Sequence, residues 1–350
     1  MTRFPVLLLA VVMVAGCTDA PAFRGDTSEH FDGTRFHNRS PLDQDALDVL
    51  RYGWSFMTQR EVWPDRVPVS QQRVPQARVT DGLSVTFINH ASFLIQVDGL
   101  NILTDPVYSN RVSPFAFAGP QRVHLPGVRL EDLPPIDVVL ISHNHYDHLD
   151  EATLIQLARQ NGTPPLILSG LGNGLLFDRL GLDNHLDLDW DDAYRVDGVT
   201  FTFVECRHRS GRGVADHFKT LWGSFVIETS RGNLYFAGDT AYGPHFAEAA
   251  ATFGPFRLAL LPIGAYEPRW FMKEVHLNPA EAVQAHIDLQ AQQSVGIHYG
   301  TFQLTNEGID DPLKDLEVAR RKRQLSPESF FTLRVGETRR LPAEDAGVLD

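Results

Sequence analysis

Positions 143–148 read HNHYDH, so His143, His145, Asp147 and His148 fall within six residues. Imidazole nitrogens and a carboxylate are donors that zinc prefers, and a dense set of them is costly to desolvate without such a partner. Four donors on one short turn crowd a single ion, which suggests two neighbouring ions sharing the turn. Two ions need further ligands. Three later positions offer them, each just beyond an apolar run: His208 after VTFTFVECR, Asp239 after NLYFAG and His298 after SVGI. Two cations held this close lower the pKa of a water between them, which is the chemistry of metal-assisted hydrolysis. Cys206, two residues before His208, reads as a small buried hydrophobe and not as a nucleophile.

These donors need strand ends to hold them. IDVVLISH is a buried strand by its β-branched run, and LDEATLIQLARQ is a helix with Asp150 as its cap and Leu154, Leu157 and Ala158 on its apolar face. The histidine turn thus sits between the carboxyl end of a strand and the start of a helix, where α/β folds build sites. From Leu83 the chain alternates as strands do, with Asp98-Gly99 as a tight hairpin turn. PLILS, VTFTFVE, GSFVIET, NLYFAGD, LALLPIG and SVGIH are further strands. Asn278, Pro279 and Glu281 open a second helix with capping-box spacing. Residues 18–79 are rich in Pro, Asp, Arg and Gln, with one helical stretch near Leu42–Met57, and read as a tether and wrapping segment. No sequence repeat of 20 to 50 residues is evident.

The 350 residues are 43% hydrophobic and 21% charged, a globular composition with room for a substantial core. A formal charge of −13 argues against a nucleic-acid partner. At the N-terminus, Arg3 precedes an apolar stretch from Phe4 to Val14 that is too short for a permanent membrane span and suits a secretory signal. Val14-Ala15-Gly16-Cys17 resembles a bacterial lipobox, which makes residues 1–16 a signal, Cys17 the lipidated N-terminus and residues 17–79 a lipid-anchored tether. The expected location is the cell envelope, facing the periplasm, with Thr18 after the cysteine consistent with sorting to the outer membrane. With Cys17 lipidated, Cys206 has no disulfide partner within the chain.

The HxHxDH turn, the later histidine, GDT and the final strand-end histidine resemble the metallo-β-lactamase superfamily, which implies an α/β four-layer αββα sandwich over residues 80–341. Within it, TDPVYSNRVSP, LPPIDVVLISHNHYDHLD, LWGSF, FAGDTAY, FGPF, PIGAYEPRWFMK and HYGTF are similar to the N-acyl-phosphatidylethanolamine-hydrolysing phospholipase D family. The resemblance implies one zinc on His143, His145 and His208, a second on Asp147, His148 and His298, and Asp239 bridging them. Iron or manganese suits the same ligand set. It also implies a phospholipid substrate attacked at phosphorus, with His276 in KEVHLNP positioning it or transferring a proton. Asp105 in LTDP and His90 in NHAS are candidates for holding ligand histidines from behind. Phe115, Phe117, Trp270 and Phe271 are candidates for acyl-chain contact. The sequence departs from the mammalian phospholipase at Ala116-Phe117, where that enzyme has a Gln-Tyr pair, and at Val275, which replaces a polar residue. Two other readings share these residues: a metal-dependent lactonase of the ascorbate-phosphate lactone hydrolase type, and a non-catalytic envelope lipoprotein stapled by zinc. Oligomeric state is not legible.

Overall fold

A computed structural model of the chain describes residues 20–69, 74–160 and 162–341. Fourteen strands among them are β1 (Leu83–Asn89), β2 (Ser92–Val97), β3 (Leu100–Thr104), β4 (Val138–Ile141), β5 (Leu166–Gly170), β6 (His185–Leu188), β7 (Ala193–Val196), β8 (Val199–Val204), β9 (Ser224–Glu228), β10 (Asn233–Phe236), β11 (Phe256–Pro262), β12 (Gln293–Ile297), β13 (Phe330–Phe331) and β14 (Thr338–Leu341). The helices are α1 (Ala46–Gln59), α2 (Glu151–Arg159), α3 (Gly174–Leu180), α4 (His245–Phe253), α5 (Arg269–Met272), α6 (Pro279–Asp288) and α7 (Asp311–Lys322).

The strands form two seven-stranded sheets, ordered β14-β1-β2-β3-β4-β5-β6 and β13-β12-β11-β10-β9-β8-β7. In each, an antiparallel meander passes into a parallel half, at β3–β4 in the first sheet and at β10–β11 in the second. The two halves of the chain therefore repeat one plan that their residues do not show.

Both faces of both sheets are covered, which is why the strands read as continuous apolar runs. Val85, Phe87, Phe93 and Ile95 from the first sheet meet Phe203, Phe225, Ile227 and Leu260 from the second in the central core. Alternate residues point outward. Val139 and Ile141 pack on Leu154 and Leu157 of α2 and Phe177 of α3, while Ala259 and Leu261 pack on Phe246, Val283 and Leu316 of α4, α6 and α7. The layers are helix, sheet, sheet, helix, the expected αββα sandwich.

Local signals act largely as their residues dictate. Asp98 and Gly99 both take positive φ, 51° and 81°, as a two-residue hairpin turn requires. Asn278 and Glu281 close a reciprocal capping box with Pro279 in the first turn of α6. Asp150 departs from expectation. It stands at the N-cap position of α2, but its carboxylate makes no cap bond to the helix backbone. It takes the backbone N–H groups of Tyr108 (3.1 Å) and Ser109 (2.8 Å) and the Thr153 hydroxyl (2.6 Å) instead. Buried loop donors compete for the same acceptor, and they fasten the loop after β3 to the start of α2.

The N-terminal residues are woven into this body. Phe31 and Phe36 are 1% and 2% exposed, share the central core, and lie 4.6 Å apart by ring centroid. The Phe36 N–H donates to the Phe218 carbonyl at 2.7 Å. Phe36→Ala is expected to destabilise the fold by about 3–5 kcal/mol, the cost of a large buried aromatic and the cavity it leaves. Urea denaturation measures it, and a change below ~1 kcal/mol would mean that the segment is only draped over the surface. Cys17 and the signal residues lie outside the described residues. No described helix is long and apolar enough to cross a membrane.

Candidate metal centre

Six of the nine His and Asp residues of the centre follow within a few residues of a strand's carboxyl end. His90 follows β1, Asp105 follows β3, His143 comes two residues after β4, His208 four after β8, Asp239 three after β10, and His298 follows β12. His145, Asp147 and His148 continue the turn into α2. His90, Asp105 and His298 have φ of 49°, 32° and 62°. These are left-handed conformations that cost a non-glycine residue about 1 kcal/mol or more and gather at functional sites. Two glycines admit close backbone approach: a Cβ at Gly238 would strike the Ser142 side chain, and one at Gly264 the His298 carbonyl.

The side chains converge in two groups. His143 Nε2 lies 2.7 Å from His145 Nδ1, which lies 3.4 Å from His208 Nε2. His298 Nε2 lies 3.3 Å from Asp147 Oδ2, and His148 Nε2 lies 3.4 Å from the same oxygen. Asp239 stands between the groups. Its Oδ2 is 3.1 Å from His148 Nε2, 3.2 Å from His298 Nε2, 3.9 Å from His208 Nε2 and 4.0 Å from His143 Nε2.

This donor set fits two cations. Ligand atoms bound tetrahedrally at ~2.0–2.1 Å stand about 3.3–3.4 Å apart, which is close to the spacing of the Asp147, His148, His298 and Asp239 atoms. His148 Nε2 and Asp239 Oδ1 are buried with no satisfactory hydrogen-bond partner, the mark of atoms placed for a ligand. His143, His145 and His208 would hold one ion, and Asp147, His148 and His298 the other. Asp239 would touch both.

Electrostatics separates the two groups. Burial holds His143 and His145 well below the ordinary imidazole value, reinforced by neighbouring histidines, and brings His208 down to about 4. Those three rings are neutral, with lone pairs free to donate. Burial opposes charge on His298 too, but Asp239 and Asp147 outweigh it and raise the ring to about 9; His148 is likewise driven well above its usual value by Asp239, Asp147 and Asp105. The carboxyls of Asp147 and Asp239, despite burial, are held well below their usual range, chiefly by His148.

Outer contacts orient the rings. Asp105, fully buried, accepts from His148 Nδ1 (2.6 Å), the Ser142 N–H (2.8 Å) and the Ser142 hydroxyl (2.6 Å). His208 Nδ1 donates to the Val275 carbonyl at 2.8 Å, which turns Nε2 toward the centre. His90 Nε2 reaches Asp147 Oδ2 at 3.1 Å, so His90 either orients that carboxylate or joins its ion. His276 comes after α5 with Nδ1 3.9 Å from Asp239 Oδ2, at the more open rim. Of the aromatic candidates, Phe117 is 83% and Trp270 45% exposed, and Phe115 is half-buried. Phe271 is instead 2% exposed and stacked on Tyr52 at 4.7 Å, out of reach of an acyl chain. Cys206 is buried, and burial pushes its thiol well up, so it is no nucleophile here.

Arg212 was not visible as a site residue in the sequence. Its guanidinium donates to the carbonyls of Asn144 (3.0 Å) and Leu149 (2.8 Å), pairs with Glu151, and lies 3.9 Å from the Tyr146 ring centroid. It clamps both ends of the metal turn. Asn38 from the N-terminal segment bonds both the N–H and the carbonyl of His208.

His245, buried at the start of α4, is brought down to about 3 by burial and then by Arg207. Below about pH 6.5 the unfolded chain takes up a proton on this ring that the folded chain refuses, so its contribution is whole above 6.5 and is lost as pH falls toward 3. The slope is up to ~1.4 kcal/mol per pH unit. His245→Gln is expected to flatten the fall of Tm between about pH 6.5 and 4.5; an unchanged slope would refute it.

The profile described as beta-lactamase superfamily domain matches residues 100–299. An uncharacterized protein of Mycobacterium tuberculosis is 41% identical over 240 residues, 68% of this chain and 64% of that protein, so the match spans under two thirds of its length. The N-acyl-phosphatidylethanolamine-hydrolyzing phospholipase D 1 of Caenorhabditis elegans is 36% identical over 291 residues, 79% of this chain and 81% of its own. Among solved structures, an isothiocyanate hydrolase from Delia radicum gut bacteria has a TM-score of 0.57 at 21% identity, covering 74% of this chain and 99% of its own, a likeness of fold. With the centre built as it is, the chain belongs to the beta-lactamase superfamily and, within it, to the N-acyl-phosphatidylethanolamine-hydrolysing phospholipase D-like family.

Proposed function

We propose that the chain is a phosphodiesterase of the phospholipase D type, cutting N-acyl-phosphatidylethanolamine or a related phospholipid to phosphatidic acid and an N-acylethanolamine. The observation that carries this reading is Asp239, whose one oxygen lies within 4.0 Å of ring nitrogens from both histidine groups. A carboxylate so placed suits a paired-cation site, the arrangement that serves in-line displacement at phosphorus. Two bound zinc ions would supply Lewis-acid charge for the phosphoryl oxygens and a water of lowered pKa.

The chain's own groups do the rest. Asp147 and Asp239 hold negative charge at the centre and fix its spacing. Water adds to phosphorus, the bond from phosphorus to the ethanolamine oxygen breaks, and that oxygen takes a proton. His276, at the rim and neutral, is the group to position the phosphodiester or pass the proton. Its backbone is held by Arg269, which donates to the His276 carbonyl at 2.9 Å and pairs with Glu281 of α6. Phe115, Phe117 and Trp270 are the aromatic side chains left to meet acyl chains.

We place the protein in the cell envelope, facing the periplasm at the outer membrane through a lipid on Cys17. The N-terminal sequence supports that location.

The test is product analysis by mass spectrometry. The metal-loaded chain is given N-acyl-phosphatidylethanolamine in mixed micelles and, separately, a panel of lactones, with His145→Ala as control. Phosphatidic acid and N-acylethanolamine in equal amounts, absent from the control, are expected. Lactone opening without phospholipid cleavage would transfer the chain to the lactonases, and no turnover with metal bound would leave a staple.

A further inference from the structure

Helix α1 is amphipathic in reverse. Its body-facing side is polar and aromatic: the Tyr52 hydroxyl donates to the Leu304 carbonyl at 2.8 Å, Ser55 is 5% exposed and accepts from Asn306, and the Tyr52 ring lies flat on Phe271. Its outward side carries Leu47, Leu50, Trp54 and Met57, exposed by 61%, 71%, 66% and 71%. At 3.6 residues per turn these four fall within an arc of ~80°. A surface helix ordinarily presents its polar face to water. Four large apolar side chains on the outer face therefore mark a surface that something else covers.

The stripe continues onto a second element. Trp270 in α5, 45% exposed, is joined to α1 through Arg51, whose guanidinium lies 5.3 Å from the indole centroid. Cations border the stripe, each beside a carboxylate: Arg51, its side chain 65% exposed, lies 3.6 Å from Asp48, and Lys273, 56% exposed, lies 3.9 Å from Glu274. Two tryptophans with leucine and methionine between them, rimmed by cations, are the chemistry of an interfacial helix. The patch also adjoins the metal centre. Gln44, just ahead of α1, donates to the Phe271 carbonyl and accepts from Arg209, the residue after the ligand His208.

We infer that the outer face of α1 with Trp270 is a docking surface for a phospholipid bilayer, which seats the rim of the metal centre at the lipid surface. The choice of a bilayer as occupant rests on the phospholipid reading above. A lipid on Cys17 would hold the chain near a membrane; this face would set its orientation there.

The test reads contact with lipid without needing catalysis. The full chain is mixed with vesicles of phosphatidylethanolamine and phosphatidylglycerol whose acyl chains carry bromine, and tryptophan emission is measured. Quenching is expected, reduced in Trp54→Phe and again in Trp270→Phe. Leu50→Glu with Met57→Glu, at two exposed positions outside the catalytic machinery, is expected to remove the quenching. The same double variant should lower turnover of vesicle-embedded phospholipid about tenfold or more while leaving turnover of a small soluble phosphodiester unchanged. Unquenched emission in the parent chain would overturn the proposal. So would a dimeric parent that the double variant renders monomeric in light scattering, since a second copy would then own the face. Quenching without phosphatidic acid would support the docking surface and sink the substrate assignment instead.

Discussion

Asp239→Asn is expected to lower kcat/KM by about 10³-fold or more, the scale of removing a preorganised charged group from a reaction centre. Asparagine keeps the volume and one oxygen, so the packing of this 2% exposed residue survives. What it loses is charge. Asp239 Oδ2 lies 3.1 and 3.2 Å from the Nε2 atoms of His148 and His298, and an amide nitrogen placed there would face groups meant to surround a cation. Metal content by mass spectrometry alongside kcat and KM checks the claim. A loss of activity with at least one ion gone is expected, whereas a variant that keeps full turnover would remove Asp239 from the centre. The zinc-staple reading makes a different forecast: a lower Tm and no activity to lose.

Asp105→Ala should combine the largest stability loss with a loss of metal affinity. It would leave three buried donors, His148 Nδ1 and the N–H and hydroxyl of Ser142, without their acceptor. Each unsatisfied group costs about 1–3 kcal/mol, so a total of roughly 3–9 kcal/mol is expected in urea denaturation of the metal-free chain. Freed from Asp105, His148 also loses the contact that fixes its ring, and affinity should fall about 10- to 100-fold in a chelator competition. Asp105→Asn separates the two effects. Its oxygen can still serve Ser142, restoring part of the stability, but its NH₂ opposes the His148 Nδ1–H and keeps affinity low. Recovery of both would mean that Asp105 acts by packing alone.

How much of this was legible in the sequence differs by element. The strands flanking the centre were plain because burial on both faces makes them unbroken apolar runs, and each ends on a donor. The turn Asp98-Gly99 and the Asn278 cap were equally plain, since their chemistry is local. β6 and β7 were not, as HLDL and AYRV are edge segments whose residues, Leu188 apart, are half-buried or exposed and show no clear period. Nor was α7, whose mean hydropathy is low and whose apolar face is narrow. Asp150 showed the limit of local signals, because loop donors from residues 108 and 109, 42 and 41 residues away, outbid the helix for its carboxylate. Around the centre, the metal donors declared themselves by type and spacing. Arg212 did not, for a lone arginine between glycines says nothing until the fold brings it under residues 144–149. The outward stripe of α1 was equally hidden: in sequence it looks like any amphipathic helix, and only burial shows which face meets the body.

Two cations sharing Asp239 between two histidine groups would scatter as a close pair. Anomalous X-ray diffraction from crystals of the metal-loaded chain tests for that pair most directly. Two peaks are expected, one within bonding distance of His143, His145 and His208 and the other of Asp147, His148 and His298, with Asp239 touching both. A single peak, or a second one away from Asp239, would exclude the paired site.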